Sequence, residues 1–478
     1  MDSTFRELRV GLAGIGLESY WPQFEGLEER LRGYLTVVQN KIEGDQRTVV
    51  NFGLIDNDQK ALRAGHTCRR EDIDILLVYV TTYALSSTIL PVIQRAKVPV
   101  VLLNLQPEAA IDYGSFNSMT CRTAMTGEWL AYCSSCPVPE IANVLRRLDI
   151  AFHQVTGMLH DDPASWNDLE SWLKAAEVTK TLCHSRLGLM GHYYSGMLDI
   201  ATDLAQVTGR FGTHIEIVEV DQLSRLRREV TNQQTAAKVE EFRSFFTIDE
   251  ECSAEEVDRA ATTAVALDKM VANNALDMLA YYYMGSGIAE NEGTMSSIIL
   301  GASMLTGRGV PVAGEYEIKN VLAMKIMDEL NAGGSFTEYY AMDFKDDLIL
   351  MGHDGPGHMR IAQDKIRVKP LEVYHGKVGR GLSVEMAVKY GPVTLLSVVE
   401  ARDKGFSLLV AEGESVVGPI LEIGNTNSRY RFSLGARGFV EAWNARGPAH
   451  HCAIGVGHLG LQLRRIADLI GLGFHQIC

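Results

Sequence analysis

The sequence predicts an α/β protein: two doubly wound parallel-sheet domains followed by a C-terminal antiparallel β-barrel-like domain. Three observations carry this. Through the first two-thirds of the chain, short and nearly continuous apolar runs alternate with helical stretches, the pattern of strands covered on both faces. After Glu315 the pattern changes to many short alternating runs with short connections, which favours an antiparallel barrel or sandwich. The chain also has 478 residues, and at roughly 100–200 residues per domain that is enough for two to four domains. The expected boundaries are 1–160, 161–315 and 316–478.

In the first domain, Arg9–Gly16, Thr48–Ile55, Ile73–Val80 and Pro99–Leu105 read as buried parallel strands, with Trp21–Asn40 and Ser86–Ala96 as crossover helices. Ligands in such domains sit at the carboxyl ends of the strands. The GLAGIG stretch at Gly11–Gly16 has GxxGxG spacing, and no acidic residue closes the second strand as a dinucleotide fold requires, so a nucleotide site is discounted. A polar helical connector, Asp161–Glu177, leads to the second domain. There Arg186–His192 and His214–Val220 read as strands, and Ser195–Thr208, Gln222–Phe246, Ala254–Met284 and Thr294–Leu305 as helices, before a short apolar run at Val310–Ala313. In the third domain a helix at Glu317–Asn331 precedes strands at Ser335–Asp343, Asp347–Gly352, Ile366–Val373, Gly381–Lys389, Val393–Ala401, Ser407–Val410 and Tyr430–Leu434. A helix near Val440–Trp443, a strand at Cys452–Val456 and a helix at Leu459–Ile470 close the chain.

Composition excludes several classes. The formal charge is 45 − 60 = −15, and no basic run tracks a phosphate backbone, which disfavours nucleic-acid binding. No segment approaches the ~18 uninterrupted apolar residues of a membrane span. The N-terminal MDSTFRELRV carries charges where a secretory signal needs its apolar stretch. A cytoplasmic location is therefore expected. Eight irregularly spaced cysteines do not form a disulfide framework. Cys133 and Cys136 form a lone CxxC, read as two thiols on a helix or loop.

The residues that carry chemistry cluster at 309–358, in GVPVAGEYEIK, GGSFTEYYAMD and LILMGHDGPGH. Glu315 follows a glycine at the carboxyl end of a predicted strand, Glu338 lies within the next strand, and His353 sits in a glycine-rich turn. Two carboxylates with imidazoles make an oxygen/nitrogen donor set suited to Mn²⁺, Co²⁺ or Mg²⁺, with positions left for substrate oxygens. The adjacent pair His450–His451, far along the chain, supplies a further imidazole. In a strand the two rings point to opposite faces, so only one of the pair is expected to be a ligand and the other to hold a substrate hydroxyl or a neighbouring subunit.

Over Val310–Ala362 and Ala449–Cys452 the chain resembles the L-arabinose isomerase/L-fucose isomerase group. AGE followed by a helix with Lys319, FTEYY, LILMGH and AHHC look like that group's four ligand-bearing motifs. The resemblance implies Mn²⁺ held by Glu315, Glu338, His353 and His451. It also implies that Glu315 and Glu338 act as the acid/base pair across a cis-enediol, and that the protein is a homo-oligomer, trimer or hexamer, whose active site is closed by a neighbouring N-terminal domain. The chain departs from well-studied arabinose isomerases in three places. Glu338-Tyr-Tyr-Ala-Met-Asp343 stands where they carry Glu-Asp-Tyr-Thr-Tyr-His, His358 is additional, and the opening GLAGIGLESYWPQF differs. The second acidic ligand in the fucose group is typically Asp, so Glu338 favours L-arabinose/L-ribulose or D-galactose/D-tagatose.

Tyr20, Trp21 and Gln23 follow the first strand and are candidate sugar contacts, as are His192 at a strand end, His358 and His450. Asp343 and His358 lie close in sequence to the ligands and are candidates for reading the hydroxyl pattern. A sugar epimerase or aldolase using the same metal site, and a non-catalytic sugar-binding relative, are the competing readings.

Overall fold

The computed structural model describes residues 7–372, 379–402 and 405–478. The first six residues, and the last residue of the strand predicted at Ile366–Val373, lie outside them. The chain divides into two compact units, Met1–Lys180 and Thr181–Cys478. The helix Pro163–Cys183 carries the chain from one to the other.

The first unit holds a five-stranded parallel sheet: β1 (Leu8–Ile15), β2 (Arg47–Ile55), β3 (Ile75–Val80), β4 (Val100–Gln106) and β5 (His153–Met158). Its order, β2-β1-β3-β4-β5, is a doubly wound order whose ligand crevice lies where the chain switches sides, between β1 and β3. All six residues of β3 are buried, as expected of a strand covered on both faces. The first crossover helix is Leu27–Ile42, preceded by a short 3₁₀ turn at Glu18–Tyr20. The helix Asp58–Arg70 and strand β5 were not anticipated. Asp56 does close β2, contrary to expectation. Its carboxylate accepts hydrogen bonds from Trp21 Nε1 at 2.7 Å and Lys60 Nζ at 2.6 Å, so this acid is committed to its own unit.

In the second unit, β6 (Arg186–Gly191), β7 (His214–Val218), β9 (Met278–Tyr282) and β10 (Val312–Ala313) form a parallel sheet ordered β10-β9-β6-β7. Between β7 and β9, β8 (Phe246–Ile248) is diverted into a three-stranded sheet with β13 and β14, introduced below. Four helical expectations fail here. The helix predicted at Gln222–Phe246 is two, Val220–Arg228 and Asn232–Phe245, the second started by the Thr231 N-cap, with Phe246 passing into β8. The one predicted at Thr294–Leu305 is also two, Ala289–Met295 and Ile299–Gly307. The helix predicted at Ala254–Met284 stops at Asn274, where Ala275 turns left-handed at φ 50°, and the rest becomes β9. A five-residue apolar run cannot be told from helix by periodicity alone; its neighbours β6 and β10, which need a ladder partner, decide it. The helix predicted at Ser195–Thr208 is a 3₁₀ turn at Leu198–Ile200 followed by a helix at Leu204–Phe211, with the Asp203 carboxylate accepting from the N–H groups of Ala205 and Gln206. An aspartate N-cap starts a helix rather than continuing one.

The remaining strands are β11 (Gly333–Asp343), β12 (Leu348–His353), β13 (Ile366–Glu372), β14 (Arg380–Glu385), β15 (Gly391–Ala401), β16 (Gly405–Val416), β17 (Thr426–Phe432), β18 (His451–Val456) and β19 (Gly473–Gln476). Seven of them form a mixed sheet ordered β15-β18-β11-β12-β17-β16-β19, antiparallel except for β16 with β19. Because β15 pairs with β16 as well as β18, the path of pairings returns to its start. The helix Ile318–Glu329 packs against β11, β15 and β18. It is buried on nearly every side, which explains why no amphipathic stripe marks it. No helix among the described residues is long and apolar enough to cross a membrane.

Candidate metal centre

The chain reaches the centre first through a strained turn. Gly314, Glu315 and Tyr316 follow the edge strand β10, and the two non-glycine residues stand at φ 55° and 63°. Consecutive left-handed residues with side chains are uncommon, and such strain concentrates at functional sites. Two backbone bonds hold the turn: Tyr316 N–H to the Tyr281 carbonyl and Glu317 N–H to the Gly314 carbonyl, both at 3.0 Å.

The antiparallel ladder supplies the next groups. Glu338 on β11 lies directly opposite Gly352 on β12 and His451 on β18, and residues so opposed share a face. Gly352 has to be glycine: a Cβ there would run into the Thr426 carbonyl and Asn427. His353 is the last residue of β12, with the glycine-rich turn following rather than containing it. Its backbone N–H donates to Thr426 Oγ1 at 3.2 Å, and its carbonyl accepts from the same hydroxyl at 3.0 Å. Phe336 spaces the imidazoles, its ring centroid 4.3 Å from His353 and 4.4 Å from His451, which are themselves 5.2 Å apart.

His451 Nε2 is 3.3 Å from Glu315 Oε2 and 4.0 Å from Glu338 Oε2. His450 Nε2 is 3.8 and 4.0 Å from the same two oxygens. The expectation that the two rings face oppositely is thereby overturned. His450 precedes β18 instead of belonging to it, so strand alternation does not apply, and the ring centroids lie 3.8 Å apart. Glu315, Glu338, His353 and both histidines of the pair therefore come together from four places in the chain: the turn after β10, β11, the end of β12 and the start of β18.

Three acids that sequence reasoning missed join them. Glu317, fully buried, places Oε2 3.6 Å from His451 Nδ1. Asp199, from the 3₁₀ turn, holds His450 Nδ1 at 2.6 Å and the His450 backbone N–H at 3.0 Å. Asp354 interacts electrostatically with Glu338, Tyr281 and Tyr340. Glu317 was legible as the second acid of GEYEIK. Asp199 carries no motif, and Asp354 was passed over in the turn beside His353.

Burial sets the electrostatics. It pushes the Glu317 carboxyl up to about 8 against the pull of Lys319. It also pushes Glu338 up to about 7, opposed by His450 and reinforced by the Glu315 and Asp354 charges. Burial lowers the His451 imidazole to about 3, which keeps it neutral. Burial acts to lower His450, but the Asp199 bond and the charges of Asp199, Glu315 and Glu338 together outweigh it and the net shift is upward. Both ring nitrogens of His451, Glu315 Oε2 and both Glu317 oxygens are buried without a hydrogen-bond partner. Such orphans cost free energy unless something satisfies them. Several carboxylates facing a neutral imidazole are satisfied by a divalent cation, and oxygen/nitrogen donors suit a hard or borderline one. Glu315, His450 and His451 present donor atoms all within 4.8 Å of one another.

Other candidates fall elsewhere. His358 is wholly buried, its Nε2 3.2 Å from Asp328 and its backbone N–H bonded to Ser335 Oγ. It abuts Gly333, at the far end of β11 and roughly 17 Å of strand from Glu338, so it does not line the centre. Asp343 ends the same strand, caps a turn through the N–H groups of Lys345 and Asp346, and pairs with Arg429. Neither is placed to read a substrate here. His192, exposed, packs edge-on against Tyr282 at 5.3 Å, and the Glu315 charge acts on that tyrosine. Tyr20 and Gln23 belong to the first unit, in the loop after β1. In the same unit Cys133 is buried and Cys136 exposed. Burial, with its neighbour's charge, raises the Cys133 thiol to about 12, opposite to a reactive thiolate.

Residues 333–473 match the L-arabinose isomerase C-terminal domain. Over those residues the chain is similar to arabinose isomerases. The match spans Glu338, His353, His450 and His451, while Glu315, Glu317 and Asp199 come from outside the matched domain. No curated protein matches the chain at significant similarity. An arabinose-isomerase-like domain aligns the chain with sugar isomerases, which are enzymes, and its Glu/His cluster is a site able to hold a metal.

Proposed function

We propose that the protein is a Mn²⁺-dependent aldose–ketose isomerase that converts L-arabinose to L-ribulose, or D-galactose to D-tagatose, through a cis-enediol. The observation that carries this reading is the convergence of Glu315, Glu338, His353 and His451 around a ladder beside the arabinose-isomerase-like match, with Glu315 Oε2 and both His451 ring nitrogens buried without a hydrogen-bond partner. Those four residues would hold the cation, which when bound supplies a Lewis acid for the sugar carbonyl and charge to offset the enediolate.

The chain's own residues account for the proton. Isomerisation removes it from C2 and returns it at C1 on the same face of the enediol, so a carboxylate must reach both carbons. Glu315 and Glu338 each approach both His450 Nε2 and His451 Nε2, at 3.3–4.0 Å. They are the carboxylates that reach the histidine pair, and either could take up and return the proton. One carboxylate would carry the carbon-bound proton from C2 to C1 while the other carries the hydroxyl proton from O2 to O1, so that Glu315 and Glu338 divide the two transfers. His450 and His192 stand toward the substrate side. The closed path of strand pairings supports reading the C-terminal sheet as a small barrel whose rim carries the site. Tyr20 and Gln23 would contact the sugar from a neighbouring subunit of a trimer or hexamer.

The test is product analysis. Metal-stripped protein given Mn²⁺ and a panel of pentoses, hexoses and 6-deoxyhexoses should form ketose from L-arabinose or D-galactose. Turnover of a different aldose alone would refute the substrate, and no ketose from any sugar would refute the activity.

A further inference from the structure

We propose that Asp199 is a positioning residue of this site, holding the His450 imidazole so that its Nε2 meets a sugar oxygen between Glu315 and Glu338. The identity of that ligand rests on the isomerase reading above; the geometry of the dyad does not.

The three histidines of the centre differ in what surrounds them. His451 is 1% exposed and His353 6%, sealed behind Phe336 as ligands of a dry site would be. The His450 side chain is 38% exposed and lines a cavity of about 380 Å³ together with Glu338, Tyr339, Trp443 and Asn444. A molecule entering that cavity toward the two glutamates passes His450, whose Nε2 is nearly equidistant from Glu315 and Glu338, at 3.8 and 4.0 Å.

What keeps the ring there is Asp199. One carboxylate oxygen takes both the Nδ1 bond at 2.6 Å and the backbone N–H at 3.0 Å, so main chain and ring are fixed by a single acceptor. A carboxylate at Nδ1 settles the tautomer and leaves Nε2 as the outward group. The turn bearing Asp199 is itself anchored. Lys319, almost fully buried, donates from Nζ to the Asp199 carbonyl at 2.6 Å and the Ala201 carbonyl at 3.1 Å. Lys319 opens the helix that begins just after Glu315 and Glu317. The loop after β6, the Glu315 turn and the start of β18 are thus tied together by two side chains, and the element that aims His450 is rigid rather than a free loop. Sites built to hydrogen-bond a substrate hydroxyl discriminate by leaving that group unpaired with the wrong isomer, and this requires an imidazole that does not swing.

The experiment uses full-length Asp199→Ala and Asp199→Asn. In metal-free protein labelled with ¹⁵N-histidine, wild-type His450 should show a single Nδ1–H tautomer, and Asp199→Ala a mixture. Mn²⁺ affinity, measured with the metal alone by water-proton relaxation, should stay at the wild-type level in both variants. With the sugar, kcat/KM should fall about 10²-fold in Asp199→Ala, as expected for a misplaced contact. Asp199→Asn, whose side-chain oxygen still accepts from Nδ1–H, should recover most of it. An unchanged tautomer, wild-type kcat/KM in the alanine variant, or Mn²⁺ affinity lost in step with activity would each overturn the proposal. The last would make His450 a metal ligand. Wild-type protein that converts no aldose would refute the isomerase reading, and the nitrogen shifts would still decide whether Asp199 holds His450.

Discussion

Glu338→Gln is expected to abolish isomerisation without harming the fold. General acid–base help from a positioned group is worth about 10²–10⁴-fold, and this change also removes a charge from the donor set, so turnover should fall by at least that range. The substitution is isosteric, so the β11–β12–β18 ladder is undisturbed. In the metal-free protein it should even relieve strain, because the Glu338 carboxyl is raised by burial and by the neighbouring Glu315 and Asp354 charges. Kinetics alongside thermal melts check both halves. Glu315→Gln should behave alike in turnover. A glutamine variant that keeps most wild-type turnover would remove its residue from the mechanism.

Stripping the metal should abolish turnover and destabilise the second unit, in a pH-dependent way. A cation at about 100 times its dissociation constant stabilises the folded state by roughly 2.7 kcal/mol, or several degrees in Tm for a unit of this size. The sign of the pH effect follows from the buried acids. Glu317 and Glu338 have folded pKa values raised to about 8 and 7. The stability they contribute to the metal-free protein is complete below their unfolded values near 4.5, and it is lost as pH rises through 7 and 8. His451, depressed to about 3, works the other way, losing stability as pH falls below 6.5, and stays neutral throughout the range that matters for metal. Carboxylates that ionise as pH rises also bind the cation better. The gain in Tm on adding Mn²⁺ should therefore be larger at pH 8 than at pH 6. A gain that is flat or reversed across this interval would mean that these acids do not face the cation.

Much of the architecture was readable because local composition and tertiary demand agreed. β3 is apolar and β-branched, and is covered on both faces, so its sequence states its environment. The failures came where they disagreed. β9 follows a long alanine-rich helix without a break in hydrophobicity, and only its place between β6 and β10 makes it a strand. Glu315, Glu338, His353 and His451 could be singled out as candidates because each stands in a short distinctive run, and the fold brings these runs near one another. Nearness in sequence misled at His358 and Asp343: Asp343 ends the extended strand five residues beyond Glu338, and His358, past the turn after β12, packs beside Gly333 at the strand's other end. Asp199 was invisible for the opposite reason. It reaches His450 across 251 residues, from a turn that exists only because Asp203 starts a new helix.

The most direct measurement of the central claim is isomerisation by the Mn²⁺-loaded protein in D₂O, with the ketose examined by NMR. A cis-enediol handled by Glu315 and Glu338 passes the C2 proton through a carboxylate that exchanges with solvent, so the account predicts ketose carrying deuterium at C1. Ketose with no deuterium at C1 even after prolonged equilibration through many forward and reverse turnovers would contradict proton transfer by the two glutamates; epimer or cleavage products in place of ketose would contradict the isomerase itself.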